Sequence, residues 1–435
     1  MSLVRRTSTA ALVSLVALAV VGFASLPGDA GAFSRSQARY LQAANKGVKQ
    51  TNRWWSHGFH WYKATLDGRD VASLWQSVPL FEALSGLEIA HPSRRHLGQL
   101  NRFAWGAQRY LNPTLEPVPG FGPQPGQHNP GKTTWFDDNG WWGLAFLDAY
   151  SATGNGRYLA DAEIAQNFIS VSGWDTTPGR PGGLWWNTNH SFYAGESLAG
   201  GTLLSAKLYA LTHEKQYLDD ATKYIAWADV WLTDPATGLY ARLRRPGTYG
   251  NTTNSTQTVG AAAAAADQQA LAANPDEAAK LEAAGGATPA PGEAQSASTN
   301  YPPFAPSPMP YVNGPMILAH RIICDATGKK SYCQRAEQLA TTTLSVYRRF
   351  WMGPQFDFWY ARTMLEFARD DNNGNWYGIA QRTARSALHR SQDKHGLYLR
   401  TWYGKKASRA SAPKGSFQLH AANAALFAWM GALGR

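Results

Sequence analysis

LAFLDAYSATGNGRYLADA, residues 144–162, carries apolar residues at helical spacing up to Tyr150, breaks at a small polar turn, and resumes behind an aromatic residue, Tyr158. The phrase returns as AKLYALTHEKQYLDDA (206–221), AHRIICDATGKKSYCQRA (319–336) and LEFARDDNNGNWYGIA (365–380), which puts Tyr217, Tyr332 and Tyr377 in places equivalent to Tyr158. Each copy reads as an αα-hairpin: a polar turn stops one helix, and the ring opening the next packs back on its partner. A lone hairpin cannot bury its apolar face, so several must close on one another.

The same periodicity marks segments near 36–63, 72–88, 94–111, 139–152, 155–170, 195–212, 214–230, 312–326, 330–350, 357–370, 375–390 and 416–432, while strand signals are scarce. Twelve helices, paired into six hairpins, predict an all-α (α/α)6 toroid with a cleft formed by the loops at one end. One stretch breaks the rhythm. Residues 251–310, rich in Ala, Gly, Pro and Ser, hold too few large apolar groups to pack, so a flexible insertion is expected there. The domain expectation is therefore one toroid over 33–435, interrupted at about 251–310, behind a leader at 1–32.

That leader reads as a signal peptide. Arg5 and Arg6 precede an apolar run from Ala10 to Leu26 and small residues up to Ala32, the order of a charged region, a hydrophobic region and a cleavage site. An extracytoplasmic protein, secreted or associated with the cell envelope, with no stable membrane span after cleavage, is the expectation. Cys324 and Cys333, the two cysteines of the chain, flank a short loop and leave a local disulfide open.

The 435 residues are 44% hydrophobic, enough for a sizeable core. The net charge of +11 is scattered over the chain, which argues against nucleic acid as a partner. With 18 Trp and 19 Tyr but only 16% charged residues, the aromatic load suits a site that covers the apolar faces of sugars. HExxH, G-x-S-x-G and Walker patterns are missing from the sequence, so zinc protease, serine hydrolase and P-loop chemistries lose support, and neither a metal nor a cofactor is expected.

WFDDNGWW, residues 135–142, sets Asp137 and Asp138 among four rings at the entrance to a helix. Two readings fit the spacing. One aspartate caps the helix and the other is solvated; or the two work as the carboxylate pair of a glycosidase, with aromatic neighbours raising the pKa of one and helix N–H groups keeping the other ionised. Glu196, in YAGES, reads first as ordinary compensation of a helix dipole and second as a group assisting the pair, and His190 as a sugar contact or a loop-closing residue. Asp148 and Asp325 read as solvated helix ends.

WFDDNGWWGLAFLDAY, then GGLWWN at 182–187, then the run from YAGES to ADVWL, resemble glycoside hydrolase family 76, the endo-α-1,6-mannanases, in order as well as in motif. YVNGPMILAH, from 311, is similar to that family's Tyr- and Asn-rich helix entrance. The resemblance implies a retaining mechanism with Asp137 as nucleophile and Asp138 as acid/base. It also implies a mannan-type polysaccharide bound by Trp135, Trp141, Trp185, Trp186, Asn139, Tyr311 and Asn313. The loop GLYARLRR departs from the pattern, with Arg242 where many members have an acid, so a changed subsite is expected. Transglycosylation of envelope glycans on the same scaffold, and a binding toroid without chemistry, are the alternatives. Another (α/α)6 enzyme relying on a histidine pair is disfavoured, since no such pair opens a hairpin.

Overall fold

The computed structural model describes residues 33–178, 181–190, 192–244, 308–348, 350, 352–404 and 415–434. The expected leader at 1–32 and nearly all of the expected insertion at 251–310 lie outside them. Among the described residues the α-helices are α1 (Arg35–Gln50), α2 (Leu74–Ala90), α3 (Arg94–Ala107), α4 (Phe136–Thr153), α5 (Gly156–Ser172), α6 (Gly195–Thr212), α7 (Lys215–Trp231), α8 (Pro310–Thr327), α9 (Lys330–Val346), α10 (Pro354–Asp370), α11 (Gly378–Arg390) and α12 (Phe417–Leu433). None of them is long and apolar enough to cross a membrane.

Two burial patterns sort these helices. α2, α4, α6, α8, α10 and α12 are buried on nearly every side, whereas α3 buries His96, Leu100, Phe103, Ala104 and Ala107, and α11 buries Ile379, Ala380, Thr383, Ala384 and Ala387. An all-round apolar helix must lie inside and a helix with one apolar stripe must lie outside. Accordingly the even-numbered helices pack in a closed inner ring, α2 on α4 and so on to α12, which returns to α2. The odd-numbered helices form the outer ring. The all-α toroid expected from the repeat is the fold.

Hairpin turns match their sequence signals. Gly154 and Gly328 end α4 and α8 in the left-handed region, with φ of 68° and 70°, and His213 takes the same conformation, φ 58°, where the third turn offers no glycine. Tyr158 and Tyr217 are buried behind their turns, as the repeat requires. Cys324 and Cys333 form a disulfide across the α8–α9 turn.

Two expectations are corrected. The first helix does not run to 63: α1 ends at Gln50, where Thr51 donates its hydroxyl to the Val48 carbonyl at 2.7 Å and the chain tightens into a 3-10 turn, Thr51–Trp54. A short antiparallel pair, β1 (Trp55–Ser56) with β2 (Trp61–Tyr62), follows. Asp148 is not solvated, for its carboxylate is buried against Arg362.

Because α2, α4, α6, α8 and α10 are each followed by an outer helix through a short turn, these inner helices run parallel and begin at the same end, and α12 enters from that end too, where Ser416 pairs with Thr65 of the loop leading into α2. The long outer-to-inner connections collect there, carrying β1–β2, β3 (Leu111–Asn112) with β4 (Gly120–Phe121), and β5 (Tyr193–Ala194) with β6 (Leu243–Arg244). That end therefore gathers six helix N-termini, whose free N–H groups and dipoles favour negative charge.

Candidate active site

Acidic residues follow that field. Asp137 and Asp138 lie in the first turn of α4, Glu196 in that of α6 and Asp357 in that of α10. The residue capping α4 is Trp135, which makes no side-chain cap bond, so neither aspartate is the cap. Both are buried, at 5% and 3% exposure, so the solvated-aspartate reading fails as well.

Helix geometry gives their direction. At 100° per residue Trp141 points between Asp137 and Asp138, one turn below them. Trp141 packs on Tyr311 of α8 and Trp359 of α10, with ring centroids 4.8 and 4.6 Å away, across the ring of helices from α4. The two carboxylates thus flank the direction of the toroid axis, above a floor of aromatic rings. Phe356 and Trp75 extend this floor, 5.1 and 5.7 Å from Tyr311.

Tyr311 joins the carboxylates electrostatically. Burial, then the charges of Asp137, Glu196 and Asp138, push its hydroxyl well above the ordinary tyrosine range, with Arg242 opposing. It stays protonated and can donate. Glu196, 3% exposed, accepts from Arg242 Nε at 2.5 Å. Burial raises its pKa, Arg242 pulls it down and Asp137 raises it again. Beyond the dipole compensation or assisting role that the sequence suggests for Glu196, the structure adds its ion pair with Arg242. The signal was present in GESLAGG, where an acid opens a helix whose following glycines mark a close approach to another helix.

Glycines bring the acids together. A Cβ on Gly140 would sit 3.0 Å from the backbone of Gly200, so α4 and α6 cross in near contact just below their first turns. The Gly195 N–H donates to the Arg242 carbonyl at 2.5 Å, beside the β5–β6 pair, and this puts Arg242 over the start of α6.

The other expected residues divide by position. Trp135 and Trp186 share a buried cluster with Phe192 and Ala194 above the start of α4, where Phe136 N–H donates to Trp186 O at 2.9 Å. The Arg242 guanidinium lies 6.0 Å from the Trp186 ring, so this cluster borders the acids. Trp185 turns away, against Tyr193 at 4.4 Å and His190 at 5.0 Å, and His190 closes the loop through its N–H to Asn187 O.

Asn139 and Asn313 are fasteners. The Asn139 side-chain oxygen accepts from Phe121 N–H at 2.8 Å, and its amide donates to the carbonyls of Phe121 and Trp135 at 3.0 and 2.9 Å. Asn313 repeats this with Tyr240 N–H and the carbonyls of Tyr240 and Met309, each at 2.9 Å. Each asparagine ties a crossing loop to the first turns of an inner helix, and through Tyr240 the second holds the segment bearing Arg242, just before β6.

The model of glycosyl hydrolase family 76 matches residues 126–266, which include the aspartates, Glu196 and Arg242. Among curated proteins no sequence matches the chain. In fold it is similar to an α-mannanase of that family from Bacteroides thetaiotaomicron, with a TM-score of 0.69 and 18% identity over 91% of this chain and 95% of that one. It is similar also to the α-1,6-mannanase of Salegentibacter sp., with a TM-score of 0.64 and 14% identity over 90% of this chain and 98% of that one. An inactive variant of the Salegentibacter enzyme, with two consecutive aspartates changed to asparagine and α-1,6-mannotriose bound, matches at a TM-score of 0.64 and 14% identity, over 91% and 99% of the two chains. The resemblance read from WFDDNGWW is thus borne out: the family 76 model matches residues 126–266, and the chain shares its fold with α-mannanases of that family.

Proposed function

We propose that the protein is a retaining endo-glycosidase that cuts α-1,6-mannosidic bonds in a mannan-type polysaccharide, with Asp137 as nucleophile and Asp138 as acid/base. The observation that carries this reading is the pair of buried, consecutive carboxylates flanking the toroid axis above Trp141. Consecutive Cα atoms lie about 3.8 Å apart, a spacing that suits the ~5–5.5 Å between carboxyl groups of a retaining pair better than the wider gap of an inverting one. In the first step Asp138 protonates the glycosidic oxygen while Asp137 attacks the anomeric carbon, giving a glycosyl ester and a free chain end. Asp138, now a base, takes a proton from water, which displaces the ester and restores Asp137. Helix N–H groups at the start of α4 favour the charge that Asp137 carries before it attacks and that Asp138 carries between the two steps.

Substrate choice rests on the bound α-1,6-mannotriose of the Salegentibacter variant together with the aromatic floor here. Trp135 and Trp186 border the acids and are the rings proposed to hold flanking sugars; Trp141 and Tyr311 form the floor. Action outside the cytoplasm is proposed on the arginine-led apolar leader and agrees with the Cys324–Cys333 disulfide. The test is incubation with linear α-1,6-mannan, with products followed by chromatography and their first anomeric form by NMR. Short oligosaccharides released as the α-anomer are expected. β-Anomers first would remove the retaining mechanism, and an uncut polymer would remove the substrate.

A further inference from the structure

Glu196 is placed to do more than balance a helix dipole. Gly140 of α4 and Gly200 of α6 touch; Asp137 precedes the first by three residues and Glu196 the second by four. Residues at these spacings share a helix face. In two parallel helices, Asp137 and Glu196 therefore stand opposite each other, one turn above the crossing. Their charges act on one another and both act on Tyr311. Of the two Glu196 carboxylate oxygens, Oε1 accepts from Arg242, while Oε2 is buried and has no hydrogen-bond partner among the other described residues. A buried carboxylate oxygen left unsatisfied is costly, and a hydroxyl donor placed against it removes that cost.

We propose that Glu196 Oε2 is the acceptor for a hydroxyl of the sugar seated at Asp137, and that Arg242 orients Glu196 for this contact. The proposal rests on the glycosidase reading and names a subsite within it. Arg242 is not a free cation awaiting an anionic glycan. Its Nε–H is engaged by Glu196, so the pair is close to neutral and presents an acceptor, which fits a hydroxyl rather than a phosphate. The guanidinium is itself fixed, since Asn313 pins the backbone of Tyr240, two residues before it, and the Arg242 carbonyl accepts from Gly195.

The test uses the full chain carrying Asp137→Asn, so that ligand binds without turnover. Calorimetry with α-1,6-mannotriose, and with its mono-deoxy analogues, is compared between D137N and D137N/E196Q after circular dichroism has shown both folded. Loss of a charged acceptor predicts binding weaker by about tenfold or more in the double variant. One deoxy analogue should lose affinity for D137N and lose none for D137N/E196Q, because the group that reads that hydroxyl is then missing. Equal mannotriose affinity in the two proteins overturns the proposal while leaving the mannanase reading standing. So does a deoxy series that falls in parallel in both, which marks Glu196 as scaffold. Failure of D137N to bind mannotriose, with no cleavage of mannan by the wild type, overturns both.

Discussion

Asp137 and Asp138 are neighbours in sequence yet fall on different faces of α4: helical spacing puts Asp137 on the face of Gly140, which meets α6, and Asp138 on that of Trp142, which packs on rings of α2 and α3. In the proposed mechanism, that difference is what would let one pair of identical side chains divide into nucleophile and acid. D137N and D138N keep volume and fold, and each is expected to lower kcat/KM on mannan about a thousandfold or more. An aryl mannoside whose leaving group needs no protonation separates them. D138N should still form the glycosyl ester from it, seen as a burst of phenol, and D137N should not. A burst from D137N would exchange the two roles, and near-normal turnover in either variant would dismiss the pair. The pair was legible because two acids among four rings are conspicuous in a chain short of charge. The tasks of Asn139, Asn313 and Glu196 were not, since their partners lie 18, 73 and 46 residues away, across loops whose two-residue strand pairs leave no periodic trace.

Elements were legible wherever a turn had its own chemistry. The four repeat copies placed eight helices, α4 to α11, within a few residues of their positions; boundaries slipped where a helix opens on rings, as at α4, which starts at Phe136 rather than near 139. Contacts between inner helices carry the shape of the site. A Cβ at Gly140 would press on the Gly200 backbone, which cannot swing aside as a side chain would. Gly140→Ala should therefore part α4 from α6 and destabilise by about 1–3 kcal/mol. It should also lower kcat/KM by more than its loss of stability explains, because Asp137 and Glu196 move apart. Gly98→Ala in α3, where the new methyl meets only Arg102 at 3.5 Å, is the control and should be neutral or slightly stabilising. Equal effects of the two substitutions on activity would show that the crossing does not shape the site.

Four of the six inner helices also meet at one guanidinium, and a fifth, α6, joins them through Glu366. Arg362 of α10 donates to Glu82 of α2 at 3.1 Å, to Asp148 of α4, and to Glu366 of its own helix at 3.1 Å. Lys207 of α6 reaches Glu366 at 2.6 Å, and the Trp429 ring of α12 lies 4.2 Å from the guanidinium. Replacing one partner of a buried ion pair strands the others, so Arg362→Met should cost about 3–5 kcal/mol, read as a lower urea midpoint. An unchanged midpoint would mean that the carboxylates share protons instead of needing the cation.

For the molecule as a whole, the ring is closed by its ends: α12 packs against both α2 and α1, so the first helix completes the last hairpin. No repeat phrase announces that pairing, because the turn that marks the other hairpins is missing where the partners are far apart in sequence. Buried titratable groups spread around this closed core make stability depend on pH in opposing ways. Asp357 accepts from Gly353 N–H and Trp402 Nε1–H, both at 3.0 Å, yet burial raises its pKa to about 7. The folded state therefore holds its proton more tightly than the unfolded chain. The stability it contributes is fully present below its ordinary value of 3.8 and is lost as pH climbs through 7. His320 and His420 act the other way: burial lowers them to about 3 and about 4, so they fold neutral, and their contribution is lost as pH falls below the ordinary 6.5. Asp357→Asn leaves the histidine contribution and removes the opposing one. The variant should gain on the wild type steadily between about pH 4 and about pH 8, by roughly 4 kcal/mol in all, measured as the difference between their urea unfolding free energies across that range. A difference that stays constant with pH would show that the carboxyl of Asp357 does not hold its proton in the fold.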